Sequence, residues 1–325
     1  MFFEGIEKKV ELIISPGQPS LRKYPELWPK IVRKAKAGII SKISNEFCDA
    51  YLLSESSLFI YDNRFIMVTC GKTTLIQSVI EFLNHYAINQ VQCLIYERKN
   101  EYFPKYQPST FIEDAILLTR YIPGKAFRLG NEDDHHIFLF HMDKDSSSPS
   151  GGETDITLEI LMHGFDRDLR DIFLSKKKDI DYFRSITNLQ KIFPDFQVDD
   201  YVFDPAGYSL NAIKGKNYYT FHVTPQVIGS YVSFETNCFT PKSLPTLIKQ
   251  VLGIFKTSSF DIILFQDEIL NRIQSGNYVL RNEVRQKLSC GYTVQYFSYF
   301  EAQLVSQKAF ELPLDSIKTG EKNVE

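Results

Sequence analysis

Two short runs of β-favouring residues flank Asp62 and Asn63, and this pattern constrains the fold of the chain more than any other. Short polar side chains tolerate the positive φ of a tight turn, so the pattern predicts a β-hairpin with a two-residue loop. In that register Ser56 lies opposite Thr69, one residue before Cys70. A three-residue loop would move the pairing by one position. In either case the sequence predicts a thiol close to a cluster of serines.

The composition favours a protein with a large core built from sheets. The chain has 325 residues, 43% of them hydrophobic, with 26 Phe and 18 Tyr. A net charge of -3 gives no electrostatic reason to expect a nucleic-acid partner. No apolar run approaches the roughly 20 residues of a membrane span, so we expect no membrane association. The early Glu4 and Glu7 do not fit a signal peptide, and the expected location is cytoplasmic.

Cysteine usage agrees with that location. Five cysteines are present, an odd number, and none forms a Cys-x-x-Cys pair. A disulfide framework or a zinc site is therefore not expected.

Apolar spacing predicts strands and helices along the whole chain. Beside the hairpin, the predicted strands lie at 1–14, 91–96, 126–129, 136–140, 154–162, 261–265 and 293–300, with a second hairpin at 218–235. The predicted helices lie at 27–47, 73–86, 110–121, 166–174, 181–192 and 242–255. The Ser-, Pro- and Gly-rich segment 145–153 predicts a surface loop or a seam between two similar halves, about 1–150 and 151–325, of a single domain.

Histidines at 135, 136 and 141 follow two aspartates and raise the question of a metal site. On one strand His135 and His141 would lie roughly 20 Å apart, at about 3.3 Å per residue. We therefore interpret them as solvated residues of a loop and a strand end, and predict no metal.

Ser56 and Cys70 carry little information on their own. Serines on a strand edge are common, and a free cysteine in a strand is most often a small apolar core residue. Their significance comes from three further stretches of sequence, at 2–8, 203–209 and 221–225.

Taken together, four blocks resemble the eukaryotic-type S-adenosylmethionine decarboxylase proenzymes, in that family's order. They are Phe-Glu-Gly-x-Glu-Lys at 3–8, Leu-Ser-Glu-Ser-Ser with Thr-Cys-Gly at 53–71, Gly-Tyr-Ser-x-Asn at 207–211, and His-x-Thr-Pro leading to Ser-Tyr-Val-Ser-Phe-Glu-Thr-Asn at 222–237. The blocks span most of the chain. The implied fold is α+β, a four-layer α/β/β/α sandwich of two large antiparallel sheets with helices on the outer faces.

The resemblance implies a proenzyme that cuts itself between Glu55 and Ser56. The hydroxyl of Ser56 attacks the preceding carbonyl, and elimination of the resulting ester converts the residue into a pyruvoyl cofactor. By the same resemblance, Ser209 and His222 support this processing, and Cys70 donates a proton during decarboxylation of S-adenosylmethionine. Glu4 and Glu7 match acidic residues of the family that lie near the reacting end of the substrate. In a plainer interpretation both glutamates are exposed charges.

The resemblance also implies the residues that hold the substrate. Phe3 and Phe203 match the aromatic residues that enclose the adenine, and backbone groups of Leu53 and Glu55 match those that bind its edge. Gln226 stands where the family usually has a ribose-binding glutamate, which removes a charge-assisted hydrogen bond. Gly229 replaces a large aromatic residue on the same loop.

A second set of residues matches a site for putrescine, a diamine that activates some members of the family. These residues are Glu11, Asp155, Thr157, Glu159 and Glu235. Three of them, Asp155, Thr157 and Glu159, share one face of a predicted strand. The alternative is an edge strand with solvated carboxylates. Val68 stands at a position that is often basic in the family.

The resemblance leaves two functions open. The first is a decarboxylase that serves spermidine and spermine synthesis, either as a single processed αβ unit or as a homodimer of such units. The second is a catalytically weak regulatory paralogue that activates an enzyme partner, an alternative that Gln226 and Gly229 favour.

Overall fold

The chain folds into two eight-stranded antiparallel sheets, seen in a computed structural model that describes residues 5, 7–54, 56–144, 156–175, 179–266 and 276–302. The strands of the first sheet are β1 (Lys8–Ile14), β2 (Ile39–Ser44), β3 (Asp49–Leu53), β4 (Ser56–Ile60), β5 (Arg64–Thr69), β6 (Val91–Lys99), β7 (Gly124–Gly130) and β8 (His136–Met142). Those of the second are β9 (Thr157–His163), β10 (Gln197–Val202), β11 (Tyr208–Lys214), β12 (Asn217–Thr224), β13 (Tyr231–Thr236), β14 (Ser259–Gln266), β15 (Tyr278–Lys287) and β16 (Thr293–Glu301).

The two sheets have the same strand order. The first runs β2-β3-β4-β5-β1-β6-β8-β7, and the second runs β10-β11-β12-β13-β9-β14-β16-β15. Each strand of the second sheet thus takes the place of the strand eight positions earlier in the chain. This repetition supports two similar halves, whose boundary stays a prediction because the segment 145–153 lies outside the described residues.

Three apolar layers show that the predicted four-layer sandwich is correct. The helices are α1 (Trp28–Lys34), α2 (Leu75–His85), α3 (Phe111–Leu118), α4 (Arg167–Leu174), α5 (Ile180–Thr187) and α6 (Leu244–Phe255). Helices α1 to α3 pack on the outer face of the first sheet, and α4 to α6 pack on the second. Between the sheets, Ile95 and Leu139 of the first meet Ile263 and Tyr296 of the second. No helix in the described ranges is long and apolar enough to cross a membrane.

The predicted hairpin and its register are confirmed. Tyr61 donates its backbone N–H to Arg64, which closes a two-residue loop, and Ser56 lies opposite Thr69. The hairpin is part of a larger unit, because β3 pairs with β4 on its other side. Asp49–Leu53, which precede the serines, therefore form a third strand that was not predicted from the sequence.

One predicted helix, at 27–47, is wrong beyond its first turns. Helix α1 ends at Lys34, Lys36 takes a positive φ of 61°, and the chain continues as β2. The error has a geometric cause. A spacing of four residues, such as that of Ile39 and Ile43, places side chains on one face of a strand as well as of a helix.

The other predicted helices and strands occur, with ends that move by a few residues. The early strand begins only at Lys8 among the described residues, and the predicted helix at 181–192 is α5 followed by a short 3₁₀ turn at Leu189–Lys191. Strands β10, β11 and β15 were not predicted. Strands β10 and β15 are the two edge strands of the second sheet. Polar side chains are tolerated there, so the alternation of apolar and polar residues is weak.

Candidate active site

Ser56 is the first residue of β4 and combines burial with an unusual backbone. Its side chain is 2% exposed, and its φ is 140°. A non-glycine residue in this region of φ is strained, typically by about 1–3 kcal/mol. Its hydroxyl donates to the sulfur of Cys70, with an oxygen-to-sulfur distance of 3.2 Å. The backbone is therefore strained at the residue that the sequence identified as the nucleophile.

Cys70 also lies close to two residues from other parts of the chain. Its sulfur, one ring nitrogen of His222 and one carboxylate oxygen of Glu7 all lie within 4.8 Å of one another. All three side chains are buried, and Glu7 is only 5% exposed. The plainer interpretation of Glu7 as a surface charge is therefore wrong. Strand β1, the hairpin and β12 together bring an acid, a thiol and an imidazole to one place.

Hydrogen bonds fix the proton of the His222 ring. Asn211 donates its amide N–H to the backbone oxygen of Tyr51 at 3.0 Å, which leaves Oδ1 as an acceptor. The hydroxyls of Ser57 and Thr220 donate to that oxygen at 2.5 and 3.0 Å. Both hydroxyls then accept from Nε2 of His222, at 2.8 and 3.1 Å, so that Nε2 carries the proton.

The opposite ring nitrogen of His222 is consequently the basic one. Nδ1 lies 3.2 Å from the hydroxyl of Ser233 and 3.7 Å from Oε2 of Glu7. This edge of the ring faces the group formed by Glu7 and Cys70. An unprotonated nitrogen on this edge can accept a proton from a group that lies between the ring, Glu7 and Cys70.

Ser209 lies directly opposite His222 in the pairing of β11 with β12, and it is buried. The structure does not bring the Ser56 hydroxyl into contact with His222. The ring instead bonds to the next serine, Ser57. Ser57, Asn211 and Thr220 are thus site residues that sequence reasoning missed, although Ser57 and Asn211 belong to the matched blocks.

Lys8 is a further residue that sequence reasoning missed. Its ammonium donates to the backbone oxygen of Gly71 at 2.7 Å and to Oε1 of Gln107 at 2.8 Å. Burial, together with the nearby Arg98, lowers the pKa of Lys8 to about 8. Because Gly71 follows Cys70 directly, this contact fixes the chain that carries the thiol.

Residues expected at the substrate are only partly described. Phe203 is half-buried, packs edge-on against Tyr201 at 5.0 Å and donates its N–H to Gly207. Gln226 is half-buried in the loop after β12, and Leu53 is buried at the end of β3. Three expected residues lie outside the described part of the chain: Phe3, Glu4 and Glu55.

Gly5 lies very close to the end of β12. A Cβ added to Gly5 would lie 2.2 Å from the hydroxyl oxygen of Thr224, the last residue of that strand. Any larger residue would collide there, which explains the glycine of the first block.

Two of the predicted putrescine residues, Glu159 and Glu235, lie together in a buried cluster around Lys9. Glu159 lies on β9, between β13 and β14, and is 0% exposed, so the edge-strand alternative is wrong. Lys9 forms ion pairs with Glu159 at 2.6 Å and with Glu235 at 3.0 Å. Glu11 instead pairs with Arg64 at 3.3 Å. Thr157 is buried on β9, and Asp155 lies outside the described residues.

Carboxylates outnumber ammonium groups in this cluster. Burial raises the pKa of Glu97 to about 7 and also raises the pKa of Glu159 and of Glu235, although Lys9 opposes the shift in each case. Lys9 pairs with Val68 in the register of β1 with β5. The positive charge that Val68 lacks is therefore supplied by the facing residue of the neighbouring strand.

The histidines that sequence reasoning placed in solvent are mostly inside the protein. His141 is 1% exposed and His136 is 7% exposed, while His135 is half-buried. Both buried residues lie on β8, which has a neighbour on each side, β6 and β7. The sequence predicted both neighbouring strands but not their pairing with β8, and this is why the histidines were placed in solvent.

Comparisons with known proteins agree with the fold and with the family that the sequence resembles. The sequence model of the family described as Adenosylmethionine decarboxylase matches residues 1–306. A Trypanosoma cruzi protein named S-adenosylmethionine decarboxylase proenzyme is 34% identical, over 94% of this chain and 90% of its own. Its namesake from Drosophila melanogaster is also 34% identical, over 82% of this chain and 83% of its own. A crystal structure titled Trypanosoma brucei AdoMetDC-delta26 monomer is similar with a TM-score of 0.57 and 25% identity, over 76% of this chain and 99% of that one.

Proposed function

The chain belongs to the adenosylmethionine decarboxylase family, and we propose that it cuts itself before Ser56 and then decarboxylates S-adenosylmethionine. The product would donate aminopropyl groups in spermidine and spermine synthesis. One observation carries the proposal: Ser56, Cys70, Glu7 and His222 meet at one end of the two sheets. The regulatory-paralogue alternative finds no support among these relatives, which are named as proenzymes.

Self-cleavage begins with attack of the Ser56 hydroxyl on the carbonyl carbon of Glu55. The carbon–nitrogen bond breaks, the amine takes a proton, and residue 55 is left as an ester on the serine oxygen. The positive φ of Ser56 supports this step, because strain in the peptide is released when the bond breaks.

The ester must then be eliminated. Loss of the α-proton of residue 56 and departure of the Glu55 carboxylate leave a dehydroalanine, which tautomerises and hydrolyses to a pyruvoyl group and ammonia. We assign the removal of this proton to His222, whose basic Nδ1 is the nitrogen that faces away from Ser57. Ser209, its neighbour across the strands, would hydrogen-bond the intermediate.

The residues around Ser56 fit a pyruvoyl group at that position. When formed, the group supplies an electron sink for loss of carbon dioxide from the substrate. Cys70, whose sulfur is 3.2 Å from the Ser56 oxygen, would then return a proton to the substrate carbon. Glu7, buried beside the thiol, would hold the positively charged end of the substrate together with Glu4.

Substrate binding is assigned by the same reasoning. Phe203 and Phe3 would enclose the adenine ring, and aromatic faces also favour the sulfonium charge. Backbone groups of Leu53 and Glu55 would bind the adenine edge. Gln226 would accept a hydrogen bond from the ribose through its amide oxygen. This bond would be weaker than the charge-assisted bond that a carboxylate forms.

We further propose that putrescine binds the acidic cluster of Glu11, Asp155, Thr157, Glu159 and Glu235. The excess of buried carboxylates over Lys9 supports this, because a diamine would replace the protons that the cluster now retains. Putrescine should raise the activity of the parent and leave that of a folded Glu235→Gln variant unchanged. A parent that does not respond would mean that Lys9 alone serves as the cation of this site.

Mass spectrometry under denaturing conditions tests the main proposal. The purified protein should give two chains, residues 1–55 and 56–325, with a pyruvoyl group at the start of the second. Borohydride reduction in the presence of substrate should trap a covalent adduct on that chain alone. One intact 325-residue chain after long incubation would overturn the enzyme proposal.

A cytoplasmic location stays a prediction. All five cysteines lie in the described part of the chain and none forms a disulfide bond, as expected for a reducing compartment.

A further inference from the structure

A second group of polar side chains, of which two are buried, joins the two sheets. His163 is the last residue of β9, and Asp261 lies on the neighbouring β14. His135 comes from the other sheet, in the turn before β8. We propose that these three side chains bind a divalent transition-metal ion, with Zn²⁺ as the best match.

The distances suit such an ion. One ligand atom from each of His135, His163 and Asp261 lies within 4.8 Å of the other two. Nε2 of His163 and Oδ2 of Asp261 are 3.5 Å apart. Two ligands bound at about 2.0–2.2 Å with tetrahedral angles are separated by roughly 3.3–3.5 Å. An ion therefore fits between these two atoms with little movement. The ring of His135 stacks on that of His163 with its centroid 4.1 Å away, and it would have to rotate to coordinate the same ion.

Neighbouring hydroxyls orient the two buried ligands. Nδ1 of His163 lies 3.4 Å from the hydroxyl of Tyr102, and Oδ1 of Asp261 lies 3.0 Å from the hydroxyl of Tyr296. Nε2 of His163 is buried and faces Oδ2 of Asp261. Such contacts at the outer atoms are typical of metal ligands, because they fix the ring and leave the inner atom for the ion.

The donor set also suits such an ion. Two imidazoles and one carboxylate form a ligand set that zinc commonly takes.

Lys99 is the group that an ion would have to displace. Its ammonium lies 2.9 Å from Oδ2 of Asp261. The same ammonium also donates to Oδ1 of Asn100 at 2.7 Å and to the backbone oxygen of His136 at 3.1 Å. Lys99 can therefore release the carboxylate and keep two acceptors, while an ion of charge +2 takes over the oxygen.

The cluster has a path to solvent. An open cavity of about 600 Å³ is lined by both histidines, by Tyr102 and by Ser259. It gives an ion access to the ring nitrogens and leaves room for water as a fourth ligand. Ser259 holds His135 by one hydrogen bond, at 3.2 Å, which the ring would exchange for the metal.

Metal binding to tag-free protein tests the proposal. After treatment with a chelator, the protein is equilibrated with Zn²⁺ and the bound metal is counted by elemental analysis. We expect one ion per chain, and we expect Co²⁺ in its place to give the intense visible absorption of a tetrahedral site. His135→Ala and His163→Ala should each lose at least tenfold in affinity and lose that absorption. His85→Ala, which removes an exposed histidine of α2, should retain both.

The shift of Tm on addition of Zn²⁺ is a second measurement, which can still be read if a variant is destabilised. His163 is buried and its replacement can weaken the fold, whereas His135 is half-buried in a turn. Zn²⁺ should raise the Tm of the parent and of His85→Ala, and leave that of His135→Ala unchanged. The proposal is overturned if the parent binds no ion, or if His135→Ala binds Zn²⁺ and gains stability as the parent does.

Discussion

At the scale of single residues, the contact of Cys70 with Ser56 supports the proposed role of the thiol as a proton donor. Its sulfur meets the Ser56 oxygen at 3.2 Å and is buried, so a proton on it can reach only groups inside the site. Gly71 is held by Lys8 at 2.7 Å, which limits movement of the thiol. Such an arrangement suits a proton donor whose position matters as much as its acidity.

Cys70→Ala is expected to separate processing from decarboxylation. The variant keeps Ser56 and His222 and should still yield two chains, but decarboxylation should fall by about 10²–10⁴-fold, the usual contribution of an acid–base group. Release of carbon dioxide from labelled substrate measures this. Cys238→Ala, which removes a half-buried thiol outside the site, serves as the control. Equal rates for Cys70→Ala and the parent would exclude the thiol from the reaction.

Ser57→Ala tests the orientation of His222. The change removes the hydroxyl that lies 2.8 Å from Nε2 and weakens the selection of the basic Nδ1. Losing one buried hydrogen bond costs about 1–3 kcal/mol, so self-cleavage should slow by about 5–160-fold. The fraction of cleaved chain over time, read on denaturing gels, measures the effect. Ser185→Ala on the exposed face of α5 should cleave as fast as the parent, and an unaffected Ser57→Ala would contradict the tautomer assignment.

The sequence predicted the residues of this site better than their contacts. The approach of Cys70 to Ser56 follows from a two-residue turn, because pairing in a hairpin is set by counting from the loop. The bond from Ser57 to His222 could not be derived in that way, since it crosses from one sheet to the other. Contacts between sheets depend on how the layers stack, and no local pattern encodes that stacking.

At the scale of elements, the central strands of both sheets meet at the acidic cluster. Strand β1 lies between β5 and β6, and β9 lies between β13 and β14. Glutamates on such strands are buried whatever their charge, and this is why the sequence could not distinguish a solvated edge from a binding site. The position of β1 and β9 inside their sheets, rather than at an edge, is what buries these glutamates.

The protons retained by this cluster should make stability depend on pH. The pKa of Glu97 is about 7 in the folded protein, raised by burial from an ordinary value of 4.5. Between these values the folded chain binds the proton more tightly than the unfolded chain, so the free energy of unfolding falls as pH rises. Relative to Glu97→Gln, the parent should lose up to about 3 kcal/mol between pH 4.5 and 8.

Urea unfolding of uncleaved Ser56→Ala protein, with and without the Glu97→Gln change, measures this difference at several pH values. Glu26→Gln removes a carboxylate from the exposed surface and provides the comparison. A constant difference between parent and Glu97→Gln across the range would show that Glu97 does not retain a proton in the folded state.

At the scale of the whole molecule, the proposed cut falls inside a sheet rather than between domains. Residues before position 55 supply β1, β2 and β3, and those after it supply β4, β5 and β6. Strand β1 is inserted between β5 and β6, and β3 pairs with β4. The chain that precedes the cut is therefore held by three strand pairings and by the core under α1.

This interleaving predicts that the processed protein stays together. After cleavage, residues 1–55 and 56–325 should elute as one particle in native buffer, with the mass of an intact 37.7 kDa unit or of a homodimer of such units. The two chains should separate only when the sheet unfolds, because release of β1 would expose the apolar Val10 and Leu12 and break both ladders of that strand. Size-exclusion chromatography with light scattering, followed by a urea series, measures this. Loss of the short chain in native buffer would mean that the strand pairings do not survive the cut.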